Sequence, residues 1–206
     1  MTKVTGTTLV NAMLEAAAGE LADLGVRREG RALVVDGERG DRLTVLADRR
    51  AAPAGTASFH TEVQRYLLPF TASNRREPLS AVRGTPYRDG EAFLWDRVLA
   101  PNAWPPGIWG VTAETLDTRT AEFVAALRPA LVGTWLPLLP RAALHAALRD
   151  TSKPLPAHDG GRRIGELMCV IEDATPADRE RLADFLEGRG DAELAAWVRI
   201  AFDQRL

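Results

Sequence analysis

A histidine stands beside a glutamate and close to a tyrosine in the segment SFHTEVQRY, residues 58–66. Apolar and polar residues alternate here, which is typical of a β-strand with one buried face. Because side chains two residues apart project to the same side of a strand, His60, Glu62 and Tyr66 share a face. A carboxylate near an imidazole can orient it as a general base, so these residues are the catalytic candidates.

The same alternation also has a purely structural explanation. An antiparallel sheet with one face against a helix and the other in water requires polar side chains at alternate positions. The segment also lacks the glycine-rich elbow that surrounds the nucleophilic serine of hydrolases. We therefore expect this face to be a solvent-exposed surface, with a catalytic role as the alternative.

Aromatic and basic residues provide the candidate binding surfaces. Trp95, Trp104 and Trp109 are connected by loops containing prolines. Tryptophan offers a large contact area at low entropic cost, so this region favours a binding surface, and packing at the end of a small core is the alternative. Arg75 and Arg76 form a second candidate surface, although nearby acidic residues offset its charge.

Charge and hydropathy argue against nucleic-acid and membrane partners. The net charge of the 206 residues is -2, and basic residues are scattered among acidic ones, whereas nucleic-acid-binding proteins carry a basic stripe. Only two of the 26 basic residues are lysines, a bias typical of a high-GC genome. No segment of about 20 apolar residues occurs, and acidic residues interrupt the first hydrophobic stretch, so we predict a cytoplasmic protein.

Potential metal ligands are few and poorly spaced. The three histidines, His60, His145 and His158, lie far apart, and Cys169 is the single cysteine. No paired-histidine or CxxC spacing and no P-loop ending occurs. We predict no metal and no cofactor, and we expect Cys169 to be a buried small hydrophobic residue.

The order of predicted elements indicates the fold class. A helix over residues 8–24, with Gly25 as its left-handed stop, precedes a β-hairpin over 31–49 and the strand at 58–66. A long helix begins near residue 118, and Pro129 is expected to kink it or end its first half. The segment GEAFLWDRVLA, residues 90–100, is predicted as a short helix, and residues 107–115 as a strand. The prediction is α+β: an antiparallel β-sheet of three to five strands with helices packed on one face, followed by a C-terminal helical extension.

Residues 151–161 are rich in proline and glycine and are predicted to be a linker. The predicted division is therefore an α+β domain over residues 1–150 and a helical extension over residues 151–206, packed on or beside that domain. Within the extension, Thr175 is predicted to cap a helix that begins at Pro176, and the acidic residues are predicted to form a solvated face.

The run LADLGVRREGRALVV, residues 21–35, resembles the opening of a bacterial family known only as domain of unknown function 4304. The residues that match the order of that family are Leu24, Gly25, Val26, Arg27, Arg28 and Gly30. The strand begun by Phe59 and the long helix ending in WLPLLP extend the resemblance over about residues 8–150. It implies a shared fold and brings neither a known activity nor site residues.

Taken together, these patterns favour a non-enzymatic protein-binding module, for example of the immunity or adaptor type. Its partner would be another protein, and a homodimer is a further option. The alternative is a small-molecule-binding protein or an enzyme. Its pocket would lie between the polar sheet face at His60 and Glu62 and the loop from Trp95 to Trp109, which predicts a closed concavity around His60.

Overall fold

The computed structural model describes residues 5–88, 90–101, 107–152, 154–158 and 161–202. These residues form eight α-helices and seven β-strands. The helices are α1 (Gly6–Glu20), α2 (Leu68–Arg75), α3 (Leu79–Val82), α4 (Leu116–Ala130), α5 (Arg141–Arg149), α6 (Gly161–Val170), α7 (Pro176–Gly188) and α8 (Ala192–Ile200). The strands are β1 (Arg27–Glu29), β2 (Ala32–Asp36), β3 (Arg42–Arg50), β4 (Thr56–Tyr66), β5 (Leu94–Arg97), β6 (Trp109–Thr112) and β7 (Ala157–His158). The predicted α+β class is confirmed, with more strands than the three to five expected.

The chain divides into two compact units. Unit 1 comprises Met1–Asp36, Arg42–Arg65 and Trp95–Pro137, and unit 2 comprises Gly37–Asp41, Tyr66–Leu94 and Leu138–Leu206. The predicted extension, residues 151–206, belongs wholly to unit 2. Because unit 2 also includes two earlier segments, the division between the units does not follow the predicted boundary at residues 150 and 151.

Unit 1 is built on an antiparallel sheet in which neighbouring strands follow the order β1-β2-β3-β4-β5. Strand β4 also pairs with β6 through residues 56–59, and its Thr61 carbonyl accepts the Val98 amide at 3.0 Å. Helices α1 and α4 pack on each other and on the sheet. The ring of Phe59 meets that of Phe123 edge-on, so α4 covers the face of β4 that bears Phe59.

The first helix shows how local signals define an element. The Thr5 hydroxyl accepts the Thr8 amide at 3.2 Å and caps α1. The α-helix ends at Glu20 and passes into a 3-10 turn, which Gly25 stops with φ 74°, a left-handed conformation that glycine adopts without a steric cost. The predicted left-handed stop at Gly25 is confirmed for this turn, while the α-helix itself begins two residues earlier and ends four residues earlier than predicted.

The predicted short helix over residues 90–100 is wrong. Residues 94–97 form strand β5, which is held beside β4. The side chains of Leu94 and Val98 are buried, whereas Trp95 and Arg97 are exposed. Pairing with β4 decides the conformation, because a short apolar run is compatible with either a helix or a strand.

Pro129 lies inside α4 and does not end it. The helix continues into a π-helical turn at Leu131–Trp135, in which the Leu136 amide donates to the Leu131 carbonyl at 2.8 Å. Proline cannot donate a backbone hydrogen bond, so a widened turn just after it is a local way to restore helical bonding. The predicted disturbance at Pro129 therefore takes the form of a wider turn.

Unit 2 consists mainly of helices, with α5 packed on α6 and α7 on α8. Thr175 caps α7 by accepting the Asp178 amide at 3.2 Å, and Pro176 occupies the first helical position, as predicted. Cys169 is buried, as predicted. Throughout the described ranges, every helix is too short or too polar to cross a membrane.

Candidate functional site

The outer face of β4 carries the predicted histidine and glutamate. Ala57, Phe59, Thr61 and Val63 are buried, whereas Ser58, His60 and Glu62 are partly exposed. The predicted alternation therefore holds from residue 57 to residue 63. His60 and Glu62 lie on a wetted surface of unit 1.

His60 and Glu62 have different hydrogen-bond partners. The Nδ1 atom of His60 donates to the Gly107 carbonyl at 3.0 Å, since a carbonyl oxygen can only accept. One Glu62 oxygen accepts from Gln64 at 3.2 Å, and the other accepts Nε of Arg97 at 3.4 Å. The backbone carbonyl of Gly107, rather than the carboxylate of Glu62, therefore orients the imidazole of His60.

Tyr66 does not extend this wet face. Residues 64–66 are all buried, and Tyr66 belongs to unit 2. Its ring stacks on that of Tyr87, with centroids 4.5 Å apart. The expectation that Tyr66 lies on a solvent-exposed surface is wrong, because the end of β4 is covered on both faces.

The tryptophans separate into different environments. Trp95 is 38% exposed on β5, whereas Trp109 is fully buried. The Trp109 ring packs edge-on against Phe123 at 5.2 Å, and its N–H donates to the Val98 carbonyl at 3.3 Å. Trp104 lies outside the described residues. Of the tryptophans that the structure describes here, Trp95 is the one that can contact a partner.

Leu99 is a surface residue that the sequence analysis missed. Its side chain is 63% exposed, the largest value among the exposed large hydrophobic residues of the described chain. It lies beside Gly107, where an added Cβ would be 3.0 Å from Cδ2 of Leu99. The apolar residues of this run, Leu94, Trp95, Val98 and Leu99, are spaced as in a helix and do not alternate, so the sequence carried no strand signal that would have marked Leu99 as exposed.

Arg75 is a structural residue and not part of an open basic surface. Its Nε and Nη2 atoms donate to both oxygens of Glu91, at 2.7 and 2.6 Å, and both side chains are largely buried. Burial would raise the pKa of Glu91, but the hydrogen bonds from Arg75 and from the Arg88 amide outweigh it and hold this pKa below its ordinary value. The pair fixes α2 to the loop that precedes β5.

Arg76 is exposed and has an unusual backbone. It ends α2 with φ 57°, a left-handed conformation that is sterically unfavourable for a residue with a Cβ. Its guanidinium pairs with Glu193 at 2.7 Å. Both residues line a cleft of about 420 Å³ in unit 2, whose other lining residues are Phe70, Ser73, Asn74, Ile164, Asp191 and Leu194.

A buried charge cluster in unit 2 also went unpredicted. Arg141 donates to both oxygens of Asp41, at 2.9 and 2.8 Å, and to Glu172. Asp41 also accepts the Leu68 amide at 3.0 Å, so its carboxylate is fully engaged. Burial would lower the pKa of Arg141, but the two carboxylates raise it above its ordinary value. The cluster is structural, and Arg141 lies 100 residues from Asp41 and 31 residues from Glu172 in sequence.

Metal coordination has no candidate in the part of the chain that the structure describes, since no three of its His, Cys, Asp and Glu side chains are grouped to hold an ion. A second cavity, of about 450 Å³, lies in unit 1 between α1 and β1 and includes Glu15, Arg27 and Arg28. Neither this cavity nor the cleft in unit 2 includes His60. On the outer face of β4 and β5, His60 and Glu62 are partly exposed and Trp95 and Arg97 are exposed, so these side chains are accessible for contact.

Comparisons with known proteins provide no relative: no family model matches the chain, no curated protein matches its sequence, and no solved structure matches its fold. The resemblance to domain of unknown function 4304 stays a prediction. Any functional conclusion must therefore come from the surface itself.

Proposed function

We propose that this chain is a cytoplasmic, non-enzymatic protein-binding module that contacts another protein through the outer face of β4 and β5. The observation that carries the proposal is the exposure of two large apolar side chains, Trp95 and Leu99, beside the partly exposed His60 and Glu62. Immunity proteins and adaptors are examples of such modules.

The composition of this surface supports binding. Tryptophan and arginine dominate the residues that contribute most to protein interfaces, because each offers a large contact area together with a polar group. Trp95 and Arg97 occupy alternate positions of β5, so they project from the same face, and Leu99 follows two residues later. An apolar centre with a polar rim is the usual organisation of such an interface.

The polar groups of the same surface are arranged for contact more than for catalysis. A general base needs an orienting partner and a substrate cavity. The His60 ring is oriented by the Gly107 carbonyl, while Glu62 accepts hydrogen bonds from Gln64 and Arg97. His60 and Glu62 therefore contribute polar groups beside the apolar side chains of Trp95 and Leu99.

Site-specific crosslinking tests the proposal. Leu99 would be replaced by photoreactive p-benzoylphenylalanine and the chain expressed in its native host, with Val132 replaced in the same way as a control. Val132 is 50% exposed and belongs to the same unit. We expect one partner protein to be trapped from position 99 and not from position 132.

The trapped partner would then be purified and titrated against unmodified chain by calorimetry. Truncation of a central interface tryptophan costs about 2 kcal/mol or more, so Trp95→Ala should weaken binding by roughly 30-fold, while Val132→Ala should leave it unchanged. Equal affinity of Trp95→Ala and the unsubstituted chain would contradict the proposal. If position 99 traps a second copy of this chain, the surface would be a homodimer interface and the proposal of a different partner protein would be wrong.

A further inference from the structure

Arg97 lies in the middle of the proposed binding surface, between its two exposed apolar residues. Its contact with Glu62 places it on the outer face of the sheet, and alternation along β5 places Trp95 on that face as well. Leu99 contacts the other end of the surface at Gly107, whose carbonyl accepts the His60 hydrogen bond. A partner that covers Trp95 and Leu99 must therefore also cover Arg97.

The guanidinium of Arg97 is only partly satisfied within the chain. Its Nε reaches Glu62 at 3.4 Å, a loose contact, and the side chain is 53% exposed. Among the described residues its Nη atoms have no hydrogen-bond acceptor, and Asp96 accepts the Arg97 backbone amide instead. In the free chain, water solvates the Nη groups.

Loss of that water determines what the partner must offer. A guanidinium cannot lose its proton, and a buried charge without an acceptor is strongly unfavourable. Glu62 meets the guanidinium only through Nε, at 3.4 Å, and so, within the described ranges, leaves both Nη groups without an acceptor. A carboxylate matches the fork of guanidinium N–H groups and forms two parallel, charge-assisted hydrogen bonds.

Resting on the proposed function, we infer that the partner protein presents an aspartate or glutamate, flanked by apolar side chains, whose carboxylate binds the Nη groups of Arg97. The flanking apolar side chains pack on Trp95 and Leu99. The contact selects an acidic segment and disfavours a basic one at the centre of the interface, where the mismatch would leave like charges facing each other.

Charge substitution at Arg97, measured with the purified protein trapped from position 99, tests the inference. Arg97→Gln removes the charge without repelling Glu62, and Arg97→Glu reverses it. We expect affinity losses of about 30-fold for Arg97→Gln and several hundred-fold for Arg97→Glu. Exchange of the partner carboxylate for arginine should recover at least tenfold of the Arg97→Glu loss.

Arg50→Glu is the matched control. Arg50 also lies in the sheet, its side chain is 51% exposed, and it makes a loose ion pair with Asp48 at 3.5 Å. Arg50→Glu changes the net charge by the same amount as Arg97→Glu and should alter the affinity for the partner less than threefold. If Arg97→Glu behaves like Arg50→Glu while Trp95→Ala still weakens binding, the inference is overturned and the proposed function stands. If Trp95→Ala has no effect either, both are overturned.

Discussion

Replacement of Gly165 by alanine tests the packing of unit 2. A Cβ at Gly165 in α6 would lie 2.2 Å from Cζ of Phe93 and 3.0 Å from Cδ1 of Leu148. Nonbonded carbon atoms pack at about 3.5–4.0 Å, so the ring or the helix must move by more than about 1 Å. Phe93 is fully buried and packs edge-on against Phe70 at 5.2 Å, which restrains such a movement.

The expected change in the free energy of unfolding for Gly165→Ala is the difference between two opposing effects. Overpacking of a core costs roughly 1–3 kcal/mol, and the required shift places Gly165→Ala near the upper value. Alanine in a helix recovers about 1 kcal/mol relative to glycine. We expect a net loss of about 2 kcal/mol, which lowers the melting temperature by about 4–8 °C for a chain of this length.

Urea unfolding and calorimetry would measure the change, with Gly19→Ala as the matched control. Gly19 lies in α1, and no atom lies within 4 Å of an added Cβ there, so the control should be neutral or stabilising by up to about 1 kcal/mol. In the double variant with Phe93→Leu, the smaller side chain should remove much of the Gly165→Ala penalty. Similar stabilities of Gly165→Ala and Gly19→Ala would refute the packing argument.

Three further predictions concern charge and backbone. Arg141→Met leaves the buried Asp41 without its counter-charge and should cost about 3–5 kcal/mol in urea unfolding; a loss below 1 kcal/mol would contradict the structural role of the cluster. Because the pKa of Glu91 is lowered by Arg75, this pair stabilises the fold above the ordinary pKa of 4.5 and loses its effect as the pH falls further. The stability difference between the unsubstituted chain and Glu91→Gln should therefore be largest above about pH 5 and shrink toward pH 3. A difference that does not change with pH would contradict a stabilising role for the ionised pair. Arg76→Gly relieves a left-handed residue at a helix end and should raise the unfolding free energy by about 0.5–1 kcal/mol, whereas destabilisation would indicate that the side chain of Arg76 supports the fold.

Elements with a complete local signal were predictable from the sequence. The stop at Gly25 and the cap formed by Thr175 with Pro176 each depend on residues within four positions of one another, and both are confirmed. The exposure of His60 and Glu62 followed from alternation along a single strand. These features need no knowledge of distant contacts.

Features that depend on a distant partner were not predictable. Residues 94–97 become a strand because β4 lies beside them, and Arg75 is buried because Glu91, sixteen positions later, supplies both acceptors. Trp109 belongs to the core because α4 brings Phe123 to its ring. Composition alone does not distinguish such residues from surface residues of the same type.

The acidic residues of the helical extension illustrate an intermediate case. Glu180, Asp184 and Glu187 of α7 are exposed to solvent, as predicted, and all three also accept hydrogen bonds from Arg199 of α8. Their spacing of four and three residues places them on one side of a helix, which is the signal for a shared partner. The identity of that partner required the pairing of α7 with α8.

The ion pair between Asp41 and Arg141 spans 100 residues of sequence, and this separation matters during synthesis. A ribosome adds about 5–20 residues per second, so Asp41 leaves the exit tunnel roughly 5–20 s before Arg141 does. Throughout that interval Asp41, which lies between β2 and β3, lacks Arg141, its buried partner in the folded chain, and its carboxylate stays hydrated. The nascent chain can therefore bury Asp41 against Arg141 only after residue 141 has left the exit tunnel.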